Sequence, residues 1–267
     1  MSQATQKITT AIWHEMPEAN NAYATRVARC HGYDVFGQML GNARWADMLY
    51  LLFRGEAPSP AQSALLEQLA LALANPGPRD AAVHAAMCGG VGGSTAAATL
   101  MAALAVGAGQ NGGAREIFHA MQGWHSCELD LLKWQARLGT EPSKRPDVWP
   151  ELQHPPGFDP HGVSTTLPIL QMLDHFASYD CGPHLGWLRQ QRRTLEQAAG
   201  LPLATTGIAA AVLHQLEFSP EQGEMLFLLL RLPGAAAHAL EQWQNGYRNF
   251  PFYPLELTDD PAQQEAA

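Results

Sequence analysis

Apolar residues recur in this chain at helical rather than alternating spacing, in alanine- and leucine-rich blocks separated by proline and glycine, and that pattern directs it to an all-α fold. Few segments read as strands. Helices are predicted over residues 44–54, 59–74, 94–108, 114–137, 163–179, 184–199, 207–217 and 220–244. Ser59-Pro60 and Ser219-Pro220-Glu221 mark two of the starts. In each, a hydroxyl can accept from the first free amides, and proline gives up only an amide that would have had no partner. Asn75-Pro76-Gly77-Pro78, the stretch 142–157 with prolines at 142, 146, 150, 155 and 156, and Gly200-Leu201-Pro202 punctuate the gaps. The 142–157 connector is the expected loop over a cleft. No internal repeat is visible.

With 267 residues the chain can form one large domain, or a large domain with a smaller one inserted. Its formal net charge of −9 argues against a basic face that tracks phosphates, so nucleic acid is not an expected partner. Part of the acidic excess sits in the tail 256–265, which reads as solvated. Cys30, Cys88, Cys127 and Cys181 form no CxxC pair, which argues against a zinc ribbon or a disulfide framework and fits a reducing cytosol. Residues 1–10 are polar and lack the pattern of a secretory signal. The longest apolar stretch, 96–108, is too short for a bilayer and contains Gly107, so it reads as a buried helix. A soluble, cytoplasmic protein without membrane contact is expected.

The segment Gly109-Gln110-Asn111-Gly112-Gly113-Ala114-Arg115-Glu116 resembles the loop that enters an active-site helix in citrate synthases and citryl-CoA lyases. Other segments follow in the family's order. Thr9-Thr10-Ala11-Ile12-Trp13-His14-Glu15 is similar to the start of the lyase module, and His31-Gly32-Tyr33-Asp34-Val35 to an Arg-Gly-Tyr-Asp-Ile turn. The run from Met48 to Pro58 is similar to a Tyr-Leu-Leu-x-x-Gly-Glu-x-Pro signature. Arg231-Leu232-Pro233-Gly234 with His238, then Tyr247-Arg248, resembles Arg-x-x-Gly-x-x-x-His and a closing Tyr-Arg. The resemblance spans nearly the whole chain, and its short length favours the citryl-CoA lyase branch.

That resemblance implies a large helical domain from residues 1–114 and 206–267, a small helical domain from 115–205 closing over a cleft, and a homodimer with residues 94–108 at the interface. It also implies two histidines and an aspartate that move protons at an acyl-CoA α-carbon and at an oxygen. None of the three falls on a matching residue. In the lyase branch the first histidine corresponds to Pro76, the second to Pro160 with His161 beside it, and the aspartate to Leu203; the place before the Gly-Gly pair, a histidine in citrate synthases and aromatic in the lyase module, is Asn111.

The site expected from these matches comprises His161, Asn111 and Asp159 as catalytic positions, with Arg231 and Arg248 holding a carboxylate. Plainer roles stand beside each: a loop histidine, a polar turn residue, ordinary salt-bridge arginines. His31 and His84 are further sources of a proton-transfer group. No cofactor is expected, although a coenzyme A thioester could be substrate or ligand. Two functions follow: a non-catalytic homologue with a carboxylate- or CoA-binding cleft, pairing with itself or an active paralogue, or an acyl-CoA lyase or synthase with a rearranged acid/base set.

No metal is expected. His119 and His125 stand six apart with Cys127 nearby, but that step puts the two imidazoles on partly opposed helix faces. Gly89-Gly90-Val91-Gly92-Gly93-Ser94 lacks the residues of a phosphate-binding loop and is expected to serve close helix packing instead.

Overall fold

Serine caps begin two helices where the sequence places them. In the computed structural model, which describes residues 8–139, 152–250 and 253–255, Ser59 accepts from the Gln62 amide while the Gln62 side chain accepts from the Ser59 amide. Helix α2 (Pro60–Leu73) starts there, behind α1 (Trp45–Arg54). Ser219 and Gln222 repeat the reciprocal cap at the start of the longest helix, α10 (Pro220–Asn245). Between them lie α3 (Ala81–Val91), α4 (Ala96–Gly107), α5 (Ala114–Cys127), α6 (Leu131–Leu138), α7 (Leu167–Phe176), α8 (His184–Ala199) and α9 (Thr205–Gln215). The architecture is helical, as expected, with one small sheet among the described residues.

That sheet is antiparallel, with β1 (Trp13–Glu18), β2 (Asn21–Cys30) and β3 (Tyr33–Asp34) in order along it. A turn of π-helix over Val35–Met39 follows. Only Ala28 and Cys30 are buried in the strands. Burial therefore imposes almost no alternation on the sequence, which is why the hairpin is hard to read from spacing.

Two helix predictions need correction. The stretch 114–137 is not one helix: α5 ends at Cys127, Glu128 takes φ +47°, and Asp130 caps α6 by accepting from the Leu132 and Lys133 amides. The indole of Trp134 donates to the Glu128 carbonyl and holds the turn. Helix α3 was not predicted, because glycines mask its end. Gly90 is there for packing: a Cβ on it would collide with the Ala239 carbonyl of α10. The expected cleft-covering connector lies outside the described residues up to position 151, as does the acidic tail 256–265.

The main core joins Leu65, Leu66 and Leu69 of α2, Ile117 and Met121 of α5, Leu185 and Leu188 of α8, nearly all of α9, and Leu226 and Phe227 of α10. Helix α9 is buried from Thr206 to its end at Gln215. It therefore fixes α5 and the α8–α9 connection relative to one another.

Candidate functional site

The first turn of α5 carries a buried carboxylate on which three loops converge. Glu116 Oε1 accepts from the Gly157 amide at 2.9 Å and from the Thr206 hydroxyl at 2.6 Å. Its Oε2 accepts from the Gly112 amide at 2.6 Å and lies 3.5 Å from His154 Nε2. Only 2% of Glu116 is exposed, and His154 is buried too. Burial pushes the carboxyl pKa up, but the donors from His154, Thr206, Gly157 and Gly112 together outweigh it and hold the group below its usual range. Glu116 is thus a fixed anion that ties loop to loop, with both oxygens occupied.

The join of the second and third loops leaves no room for side chains. Gly157 has φ +92°, and a Cβ on it would stand 2.9 Å from the Gly207 Cα. A Cβ on Gly207 would strike the Gly157 carbonyl oxygen. With the glycines in contact, Ala204 donates to the Gly157 carbonyl at 2.9 Å and Asp159 to that of Pro202 at 2.8 Å. Phe158 and Leu203 form an isolated antiparallel bridge between them.

A fourth loop is attached through α10. Pro233 interrupts the amide ladder of that helix, and the Gly234 amide donates instead to the Ala74 carbonyl at the end of α2, at 2.7 Å. Three and four residues either side, Arg231 pairs with Asp80 and His238 lies 3.1 Å from the Asn75 side chain. Arg-x-x-Gly-x-x-x-His therefore reads as one helix face gripping residues 74–80. The other end of Arg231 donates to the Gly112 carbonyl at 3.1 Å, which couples this loop to the one on Glu116.

The predicted site residues are distributed around this junction. Asn111 is exposed beside Gly112. Asp159 is half-buried and its Oδ1 accepts from the His161 amide at 2.9 Å. The imidazole of His161 is exposed and has no hydrogen-bond partner among the described residues. Arg231 is 9% exposed, lies over the Phe227 ring and is charge-compensated by Asp80. Arg248 is exposed in a short 3-10 turn (Tyr247–Asn249) after α10. His31, at φ +45° and next to Gly55, and His84, near the Phe250 ring, take no part in the Glu116 network. Glu116, His154, Thr206 and Asp80 were not predicted as site residues. Only Glu116 had a signal, its place after the Gly-Gly-Ala turn.

Among the described residues, one further group of side chains has metal-ligand character: Glu128, His184 and His214.

Comparison with solved structures identifies the fold as that of the citryl-CoA lyases, a helical, citrate synthase-like layout. The citryl-CoA lyase from Hydrogenobacter thermophilus superposes with a TM-score of 0.70 and 18% identity, over 97% of this chain and 100% of that one. ATP citrate lyase from Methanothrix soehngenii, in complex with citrate and coenzyme A, gives 0.68 and 16% over 97% of this chain. A Methanosaeta concilii ATP citrate lyase mutant in complex with (3S)-citryl-CoA gives 0.69 and 15% over 99%. The chain spans 44% of the length of each of those two enzymes. Neither a protein-family model nor a curated protein sequence matches.

Proposed function

We propose that this protein is a citryl-CoA lyase-like subunit that has lost the proton chemistry of its fold and keeps the cleft, binding a small carboxylate or a CoA thioester in a regulatory or partner-subunit role. One observation carries the reading: the four loops that resemble catalytic loops are assembled around Glu116 and Arg231, yet the matched positions bear Pro76, Asn111 and Leu203. Proline and leucine have no transferable proton, and asparagine neither gains nor loses one near neutral pH. Leu203 is 3% exposed and belongs to the core. The two polar groups that do organise the loops, Glu116 and Arg231, are consumed by internal partners.

Ligand binding then falls to groups that remain open. Arg248 offers an exposed guanidinium, and Asn111 an exposed side-chain amide on the loop before α5. Residues 115–205 would form the part that closes on the ligand. The dimer expected at the 94–108 stretch has a surface suited to it: α4 turns Thr99, Ala103 and Gly107 inward and leaves Met101 and Val106 exposed, with Leu240 and Trp243 of α10 nearby.

A second reading, an active carbon–carbon lyase, rests on Asp159 and His161, two titratable residues on one turn. Thiol release from citryl-CoA by the purified chain, run beside His161→Ala, separates the two. The proposed reading expects no release above background, with calorimetry still detecting citrate or coenzyme A. Turnover abolished by His161→Ala supports the lyase and overturns the proposal.

A further inference from the structure

The geometry points to a divalent transition-metal site of the zinc type, formed by Glu128, His184 and His214 where the end of α5 meets the start of α8 and the end of α9. Glu128 Oε2 lies 3.3 Å from His184 Nε2 and 3.4 Å from His214 Nε2, and all three ligand atoms fall within 4.8 Å of one another. A charge-assisted hydrogen bond between imidazole and carboxylate is shorter, about 2.7–2.9 Å. The edge of a tetrahedron with metal–ligand bonds of about 2.0–2.1 Å is roughly 3.3–3.4 Å. The two carboxylate–imidazole distances are therefore those of neighbouring ligands around a common ion.

The local structure holds the three groups in place. Glu128 adopts φ +47° and ψ −126°, a conformation that side-chain-bearing residues avoid, and Trp134 fixes it by donating to its carbonyl. His184 and His214 stand with ring centroids 4.7 Å apart, against the Trp124 ring on one side. Two imidazoles and one carboxylate leave a fourth position open. Glu128 is the exposed member, so the ion would enter from solvent, and the exposed His125, 5.5 Å from His214 between ring centroids, stands next to that entrance.

The inference is independent of the proposed function. Glu116 lies in the first turn of α5 and Glu128 just past its last residue, Cys127, and the eleven residues from Glu116 to Cys127 alone rise about 16 Å. None of the three ligands belongs to the loop junction. A bound ion would cross-link α5, α8 and α9.

The test is titration of the untagged, chelator-treated full chain with Zn2+ by calorimetry, and with Co2+ followed by visible absorption. One equivalent is expected, with a tetrahedral cobalt spectrum lacking thiolate charge transfer and a rise in melting temperature. His184→Gln and Glu128→Gln replace partly exposed side chains and should fold. Each is expected to weaken binding at least about 100-fold, since loss of a direct ligand should exceed the 10–100-fold cost of losing an outer partner. His214→Gln, a buried position, is the third variant. Absence of stoichiometric binding overturns the site. So does binding of wild-type strength in the His184 and Glu128 variants, or a thiolate spectrum, which would move the ion to a cysteine.

Discussion

Arg231 and Asp80, far apart in sequence, form an ion pair that closes the α10 face onto the start of α3, and the two oxygens of Asp80 divide the work. Oδ1 caps α3 by accepting from the Ala82 and Val83 amides, while Oδ2 takes the guanidinium. With its charge answered inside the protein, Arg231 has little left to offer a substrate carboxylate.

Removing one partner strands the other. Asp80→Ala is expected to cost about 3–5 kcal/mol for the broken buried pair, plus about 1 kcal/mol for the lost cap. Asp80→Asn keeps a capping oxygen and loses the charge, so it should fall between Asp80→Ala and wild type. Urea unfolding of both, with Arg231→Met to complete a double-mutant cycle, measures the coupling. Coupling near zero would mean that the pair is solvated and contributes nothing.

Acid should loosen the loop junction. The Glu116 pKa is depressed in the folded protein, so its ionised form stabilises the fold above the unfolded value, near pH 4.3, and that contribution is lost as pH falls through the lower folded value. Glu116→Gln puts an amide where only acceptors suit the Gly112, Gly157 and Thr206 donors, and should cost about 2–4 kcal/mol at pH 7. Its stability should also vary less between pH 5 and pH 3 than that of wild type. Parallel pH profiles would show that Glu116 titrates alike in both states.

The helical architecture was legible in the sequence because burial repeats with the helix period and the caps at Ser59 and Ser219 are local chemistry. The site was legible only as loops in order. Nothing in the spacing of His154, Thr206 and Asp80 announces that they meet Glu116 or Arg231, because those contacts span 38, 90 and 151 positions and depend on how α5, α9 and α10 pack. The same holds for Glu128, His184 and His214, which come from the turn after α5 and from α8 and α9. The break at Glu128 escaped notice because its cause, the Trp134 indole on the Glu128 carbonyl, is a side-chain contact.

Glycines at the junction and elsewhere should respond with opposite signs. Gly207→Ala drives a methyl into the Gly157 carbonyl, where the neighbour is backbone and cannot step aside, so a loss of about 1–3 kcal/mol is expected. Gly186 lies inside α8 with open space where its Cβ would be. Gly186→Ala should therefore stabilise by about 0.5–1 kcal/mol. Thermal melts of the two variants are enough; destabilisation by both would point to an unseen neighbour at Gly186.

The proposed dimer face makes its own prediction. Gly90, Thr99, Leu100, Ala236, Leu240 and Trp243 border a cavity of about 320 Å³ whose rim carries the exposed Leu240 and Trp243. A second copy covering it would bury these side chains, and Leu240→Asp would leave a carboxylate unpaired in the interface. Sedimentation should show a dimer for wild type at micromolar concentration and a monomer for the variant. A wild-type monomer would remove this part of the proposed function.

Restoring the missing aspartate should fail, and the reason lies in packing rather than chemistry. Leu203 corresponds to the aspartate in the resemblance, but its side chain is buried beside Gly207 and its backbone is bridged to Phe158. Leu203→Asp would exchange an apolar contact for a carboxylate in a buried position, so the group would be protonated or the loop would open. The expected loss exceeds that of Leu203→Ala, which on cavity grounds costs about 2–5 kcal/mol. Leu203→Asp combined with Pro76→His and Asn111→His should release no thiol from citryl-CoA, and its melting temperature should follow that of Leu203→Asp alone. Measurable turnover in the triple variant, with a melting temperature close to wild type, would show that the junction around Glu116 can still accommodate the catalytic set and that the chemistry was lost by substitution alone.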